Sequence, residues 1–290
     1  MVFVERIQAA DWNRLPCDLD DYLIDRYEVS NREFQEFVDA GGYEAPGCWD
    51  HLQFAREGKT LPWTEAMGEF ADATGHAGPA GWSNGRFPAG EEDYPVRGVS
   101  WFEAAAYARF TGKSLPTIHH WQWPAEPSGH MLALSNFSAR GPAPRGAYKG
   151  IGRFDVYDMA GNVKEWCWNS DTEGRRCLRG GAWNEASYRC LFMDVASPWD
   201  RRETHGFRCV RYLSDKHPPP KTLEPWRQVL PHLAGRKRLP LEMLKAWYEY
   251  DKDQPFNPTT IGSDDGSSAE YRHEIDRKST RLNSSHVSQY

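Results

Sequence analysis

Two helices that share one start signal are the sequence feature that most restricts how this chain folds. Ser30 and Glu33 in SNREFQEFVDAGG have the spacing of a capping box, and Ser100 and Glu103 in VSWFEAAAYARFTGK repeat it. Glycines follow each stretch, at positions where they commonly end a helix. The sequence therefore predicts two short helices on either side of residues 43–97.

The segment between these helices is rich in Gly, Pro and Trp, and its one predicted helix lies near TEAMGEFADATG. The chain of 290 residues carries 13 Trp, 25 Gly and 20 Pro, which indicates many turns around a core of large aromatic side chains. A short helix is predicted to begin in LPTIHHW, and short strands are predicted in YLIDRYEV, RFDVYDMAGNVKEWCW, RRCLRGGAW and GFRCVRY. We expect an α+β fold with little regular secondary structure.

Charge and hydropathy exclude two classes of partner. The net charge is −6 and the Lys and Arg residues are scattered, so we expect no nucleic-acid-binding face. No stretch reaches the roughly 20 apolar residues that span a bilayer, so no membrane span is predicted in this segment. The six cysteines form no C-x-x-C pair, which argues against a structural zinc site. The sequence indicates no cellular location.

The composition changes after Leu213, and we predict three regions. Residues 1–213 form the domain, and residues 214–275 form a proline-containing linker with one helix near residues 240–250. Residues 276–290 have no periodicity and resemble the translation of a common sequencing-adaptor oligonucleotide. We expect this last stretch to be a disordered artefact and the natural protein to continue in its place.

Five blocks of the domain, taken in order, resemble the formylglycine-generating enzyme family, also called the sulfatase-modifying factor family. They are YEVSNREFQEFVDAGGY, PVRGVSWFEAAAYARFTGKSLPT, YDMAGNVKEW, LRGGAW and HGFRC. The resemblance implies a variant of the C-type lectin fold. Residues 213–275 are similar to the linker that, in some bacterial proteins, joins such a domain to a C-terminal α/β-hydrolase, with a protein kinase on the N-terminal side. Both neighbours are then expected to be missing from this chain.

The resemblance also implies where a copper site would lie. In the oxidising members of the family, two cysteines that follow the GG turn, five residues apart, bind a copper ion that activates dioxygen. Counted from Gly180, the first position is Glu185 and the second is Cys190. Soft thiolates suit Cu(I) and a carboxylate does not, so we expect copper not to bind. Cys190 and Glu185 remain the candidate catalytic residues, although a merely packed thiol is the simpler interpretation of Cys190.

A calcium site is predicted at the GNVKEW turn. Asn162 and Glu165 offer an amide oxygen and a carboxylate three residues apart, and such hard donors suit Ca2+. The resemblance carries both residues over as ligands, adds the carbonyl of Val163, and matches Asn136 to a second calcium site. The alternative is that Asn162 satisfies a turn while Glu165 pairs with an arginine.

Three further residues are candidates for a binding groove. Trp183 and Asn184 follow the flexible Gly180 in RGGAWN, and Arg208 lies in GFRC, where it is either a ligand contact or a buried partner of a carboxylate. The expected ligand is a peptide or a small molecule.

Two functions remain open at the level of sequence. The leading hypothesis is a domain of this family that lacks the two-cysteine copper site and acts as a ligand-binding or regulatory module of a larger bacterial signalling protein. The alternative is a metal-dependent oxidoreductase that acts on a peptidyl cysteine or another thiol, with Cys190 and Glu185 both in use. The fold alone does not decide between them.

Overall fold

The computed structural model describes residues 1–9, 16–56, 58–125, 129–213 and 218–227. The helices in this part of the chain are α1 (Asn31–Asp39), α2 (Trp63–Met67), α3 (Trp101–Phe110), α4 (Ile118–Ala125) and α5 (Gly129–Ala133). The strands are β1 (Val2–Val4), β2 (Tyr22–Ile24), β3 (Ala55–Arg56), β4 (Lys59–Thr60), β5 (Lys164–Ser170), β6 (Arg176–Arg179), β7 (Asp194–Ala196), β8 (His205–Gly206) and β9 (Val210–Tyr212). The expected α+β class with short regular elements is confirmed.

Both predicted capping boxes are present. The Ser30 hydroxyl accepts the Glu33 N–H at 3.2 Å, and the Glu33 carboxylate accepts the Ser30 N–H at 2.9 Å. The corresponding distances between Ser100 and Glu103 are 3.1 and 2.7 Å. These reciprocal bonds satisfy backbone donors that the first turn of a helix leaves free, so α1 and α3 begin where the sequence predicts.

The irregular segment between α1 and α3 is packed by its own aromatic rings. Trp49 stacks on Phe70 with ring centroids 5.4 Å apart, and Phe70 stacks in turn on Trp199 at 5.5 Å. Tyr43 donates its hydroxyl to the capping carboxylate of α3, Glu103, at 2.7 Å. Aromatic burial therefore replaces regular secondary structure as the main source of stability in this region.

The helix predicted near TEAMGEFADATG differs from the observed one. Helix α2 begins at Trp63, after Pro62, and ends at Met67, so it is earlier and shorter than the pattern suggested. Gly68 follows it and the chain continues to Phe70 in hydrogen-bonded turns. Glycine carries a large entropic cost inside a helix, which favours an end at this point.

Three sheets organise the described strands. The largest has the order β7-β6-β5-β8, in which β5 and β8 are parallel and the other pairs antiparallel. A second antiparallel sheet has the order β1-β2-β9, and β3 pairs with β4. In the largest sheet Glu165 pairs with Arg179, which places the GNVKEW and RGGAW motifs side by side.

Residues 218–227, which follow the predicted domain boundary at residue 213, pack against β5. The Asn169 side-chain amide donates to the carbonyls of Thr222 and Glu224 at 2.7 and 3.1 Å, and the Trp226 N–H donates to Ser170 O at 2.7 Å. The first compact unit accordingly runs from Met1 to Arg227. The predicted helix near residues 240–250 and the stretch 276–290 lie outside the described residues.

Within the described residues, no helix combines the length and the apolar character that a membrane crossing requires.

Two glycines test how tightly the turns are packed. Gly161 and Gly174 have φ of +78° and +81°, but an added Cβ would lie 2.3 Å from Asn136 O at Gly161 and would meet nothing within 4 Å at Gly174. We expect Gly174→Ala to cost only the left-handed strain, about 1–2 kcal/mol. Gly161→Ala should cost about 1–3 kcal/mol more because of overpacking. Urea unfolding of both variants measures the difference, and equal losses would contradict the close approach.

Candidate functional site

Three turns that are distant in sequence meet at one place, which we call the turn cluster. It consists of residues 136–143, 158–165 and 179–185. The Gly161 N–H donates to Gly180 O at 2.8 Å, the Asn162 N–H to Asn136 O at 3.0 Å, and the Trp183 N–H to Asn162 O at 2.8 Å. The cluster thus brings together most of the candidate residues predicted from the sequence.

Local backbone conformation explains why these turns approach so closely. Gly161, Gly180 and Gly181 have φ of +78°, +96° and +73°, and Asn162 has a φ of +58°. Glycine takes this left-handed conformation without a Cβ penalty, and asparagine tolerates it better than most residues do. Successive backbone groups can therefore point at the neighbouring turns.

Glu185, at the first of the two thiol positions, is held by a network of charges. One carboxylate oxygen lies 2.6 Å from Lys164 Nζ, and the other accepts the Ala182 N–H at 3.1 Å. Lys164 is 8% exposed and also binds Asp194 at 2.5 Å, while the Arg189 guanidinium lies 3.8 Å from Glu185. This carboxylate is part of a salt-bridge network that ties β5 to the chain after the GG turn.

Cys190, at the second thiol position, lies inside the core. Its residue is 2% exposed and packs in the same apolar cluster as Cys167 and Cys177. Burial raises the pKa of the Cys190 thiol to about 12, although the charge of Arg179 acts in the opposite direction. The thiolate is the nucleophilic and metal-binding form, so Cys190 is held in its unreactive form at neutral pH.

Asn162 is held by protein groups on both sides of its amide. Its Oδ1 accepts the Asn136 side-chain N–H at 3.1 Å and the Ala143 N–H at 2.9 Å, and its Nδ2 donates to Glu28 at 2.7 Å. Next to it, the Val163 N–H donates to the same Glu28 carboxylate at 3.2 Å. The amide oxygen proposed for calcium therefore already accepts two hydrogen bonds.

Glu165 and Arg208 form a buried ion pair, and both are 0% exposed. Arg208 binds the carboxylate through two nitrogens, each at 2.7 Å, and Trp121 Nε1 donates to it at 2.7 Å as well. Arg208 also donates to carbonyls of residues 25, 26 and 157. The guanidinium therefore lies in the core and anchors Glu165, and it does not face an open groove.

Two acids that the sequence reasoning did not single out lie near this pair. Glu28 is 0% exposed, and burial together with the charges of Asp158 and Glu165 raises its pKa well above the usual range. Burial also raises the pKa of Asp158 to about 6, and its carboxylate accepts the Gly146 N–H at 2.6 Å. Asp158 lies in the motif YDMAGN, so the sequence offered a signal for this acid. It offered none for Glu28, which lies 134 positions before Asn162.

The remaining candidates lie around the same turns. Asn136 is 1% exposed and its Oδ1 has no hydrogen-bond partner among the described residues. Trp183 is half-buried with an unpartnered indole N–H, judged on the same residues, and Asn184 is exposed. Among the predicted calcium donors that are side chains, Asn136 alone thus presents a buried oxygen without a donor in the described residues.

A preassembled metal centre is absent from the described residues, in which no group of three or more His, Cys, Asp or Glu side chains could hold an ion. At the two thiol positions the structure has a salt-bridged carboxylate, Glu185, and a buried thiol, Cys190, and a carboxylate is a poor ligand for Cu(I). At the GNVKEW turn, Glu165 is paired with Arg208, so it would have to leave that pair to bind a calcium ion.

The burial of Cys190 predicts slow chemical modification. In the folded chain at pH 8, we expect iodoacetamide to label Cys17 and Cys48, which are partly exposed, well before Cys190. Mass spectrometry of tryptic peptides after timed labelling measures the order, and labelling in urea provides the control. Early labelling of Cys190 would contradict the buried thiol.

Comparison with known proteins identifies the family of this chain. The model of the sulfatase-modifying factor enzyme 1-like domain matches residues 9–213. A formylglycine-generating enzyme from Thermomonospora curvata is 32% identical over 53% of this chain and 62% of its own length. A hercynine oxygenase from Mycolicibacterium smegmatis is 32% identical over 51% of this chain and 37% of its own length. The alignments therefore cover only part of these relatives.

The fold agrees with that match. The crystal structure of CarF superposes with a TM-score of 0.50 at 19% identity, over 74% of this chain and 94% of that one. The expected fold, a C-type-lectin-like variant with modest regular secondary structure, is thereby confirmed. The chain belongs to the sulfatase-modifying factor family, whose members include the formylglycine-generating enzymes.

Proposed function

We propose that this domain lacks the two-thiol copper site of the oxidising members and acts as a ligand-binding or regulatory module of a larger bacterial signalling protein. The observation that carries the proposal is the position of Glu185. A carboxylate held by Lys164 and by the Ala182 N–H stands where the first thiolate would bind copper. The negative charge of Glu185 thus serves a salt bridge within the fold.

The second thiol position supports the same conclusion. A copper ligand must be ionised and accessible, whereas Cys190 is 2% exposed and its pKa is raised to about 12. Cys167 and Cys177 in the same core cluster are also buried, and burial raises the pKa of both thiols. These thiols fill apolar space as small hydrophobic side chains do.

A kinase-linked setting is supported by one group of relatives. The serine/threonine-protein kinase pkn1 of Chlamydia caviae is 26% identical over 67% of this chain, which corresponds to 33% of that protein. A domain of this family therefore occurs in proteins that carry the name of a signalling enzyme. We propose that the present domain supplies recognition in a comparable architecture.

Copper analysis combined with oxygen uptake tests the proposal. We expect the chain, incubated with Cu(I) and a cysteine-containing peptide, to retain no stoichiometric copper and to consume no oxygen, because only one thiol position is retained. Glu185→Cys restores the two-cysteine spacing and should gain Cu(I), because a metal held by one thiolate can displace the proton of the buried Cys190 thiol. Glu185→Cys with Cys190→Ser is the matched control that should not bind it. Stoichiometric copper and oxygen uptake in the unsubstituted chain, both abolished by Cys190→Ser, would establish the oxidoreductase alternative.

Calcium binding at the turn cluster stays a proposal, with Asn162, the Val163 carbonyl and Glu165 as donors of one site and Asn136 as a donor of a second. The unpartnered oxygen of Asn136 supports the second site, and the first requires that Glu165 leaves its pair with Arg208 to reach an ion. The proposal predicts that EDTA lowers the melting temperature and that Ca2+, but not Mg2+, restores it. Differential scanning calorimetry measures this effect, and a melting curve that EDTA leaves unchanged would reject the site.

A further inference from the structure

Arg179, the residue just before the GG turn, is a buried cation that forms no ion pair with any of the described residues. It is 6% exposed, and its Nε is buried without a hydrogen-bond partner in the described part of the chain. Its guanidinium carbon lies 5.2 Å from the centroid of the Trp121 ring, in a cation–π interaction. Burial lowers its pKa, as expected for a charge that has lost water.

Two other arginines of the domain, the buried Arg208 and the half-buried Arg176, do donate to protein oxygens. Arg208 directs its three guanidinium nitrogens to protein oxygens, including both carboxylate oxygens of Glu165. Arg176, three residues before Arg179 on β6, also stacks on a tryptophan but donates to Trp168 O at 2.6 Å. The Nε of Arg176 is also buried without a partner, so Arg179 differs in that no protein oxygen among the described residues accepts from its guanidinium.

Two acids near Arg179 form ion pairs with other residues. Asp194 acts on Arg179 through space, but its two carboxylate oxygens bind Arg189 and Lys164. Glu165, opposite Arg179 in the sheet, is neutralised by Arg208. Neither acid thus forms an ion pair with Arg179, although Asp194 stabilises its charge through space.

The other groups around Arg179 contribute no negative charge. Burial raises the pKa values of Cys167, Cys177 and Cys190, so these thiols are neutral at physiological pH. Burial and the charge of Arg179 lower the pKa of His119 to about 4, so this imidazole is neutral as well and can accept or donate one hydrogen bond.

We propose that Arg179 is the anchor of an oxyanion-binding site, in which the guanidinium receives a carboxylate or phosphate group of a ligand above the Trp121 ring. The forked N–H donors match either group in bidentate geometry, and the low dielectric of the site strengthens each bond. The proposal deepens the binding role given above and rests on it for the biological ligand. The two are separable, because copper and oxygen measurements test the loss of oxidase chemistry and anion titration tests Arg179.

Calorimetric titration of the full chain with inorganic phosphate and with acetate, against chloride at equal ionic strength, tests the site. We expect saturable binding of at least one oxyanion, and the comparison of phosphate with acetate identifies which group fits. Arg179→Met should abolish the binding, and Arg179→Lys, which keeps the charge without the fork, should weaken it at least about tenfold. Arg176→Met, matched in strand and in tryptophan stacking, should bind as the unsubstituted chain does.

Each other outcome overturns the proposal. No saturable binding of either anion to the unsubstituted chain removes the site, and so does equal binding by Arg179→Lys and the unsubstituted chain. If Arg179→Met does not fold, the Arg179→Lys and Arg176→Met titrations still decide the question. Loss of binding in Arg176→Met to the same degree as in Arg179→Lys would assign the effect to the sheet as a whole and overturn the specific role of Arg179.

Discussion

The buried pair of Glu165 and Arg208 is the interaction on which the rest of the structure depends. Through it β5 is joined to the backbone of residues 25, 26 and 157, and Trp121 attaches α4 to the same carboxylate. Removing one partner of such a pair leaves an uncompensated charge and costs about 3–5 kcal/mol. A scaffold with so few long helices and strands is held in register by this polar centre.

The elements predicted correctly are those with local causes. Ser30 with Glu33 and Ser100 with Glu103 satisfy helix starts through residues three apart, which a single sequence displays. The strand predicted in YLIDRYEV is present but shorter, over Tyr22–Ile24, whereas β1 (Val2–Val4) and β7 (Asp194–Ala196) were not predicted. Pairing depends on partners such as β9, almost two hundred residues away, and periodicity does not show how far a distant partner extends.

The candidate site could also be predicted from the sequence only where its features have local causes. Counting from the GG turn located Glu185 and Cys190, but the salt bridges of Glu185 to Lys164 and the burial of Cys190 depend on tertiary packing. The participation of Glu28 in the turn cluster could not be predicted, since its contact with Asn162 joins residues 134 positions apart. An arginine partner of Glu165 was one of two alternatives, and the sequence did not identify which arginine it would be.

The attachment of residues 218–227 to β5 has a mechanical consequence. The Trp226 N–H binds Ser170 O at one end of this seven-residue strand, and Lys164 binds Glu185 and Asp194 at the other. At about 3.3 Å per residue the strand spans roughly 20 Å. Tension on the chain after Arg227 would therefore pass along one stiff strand into the turns that carry Trp183 and Arg179. A pulling force after Arg227 and a ligand bound at those turns would act on opposite ends of β5.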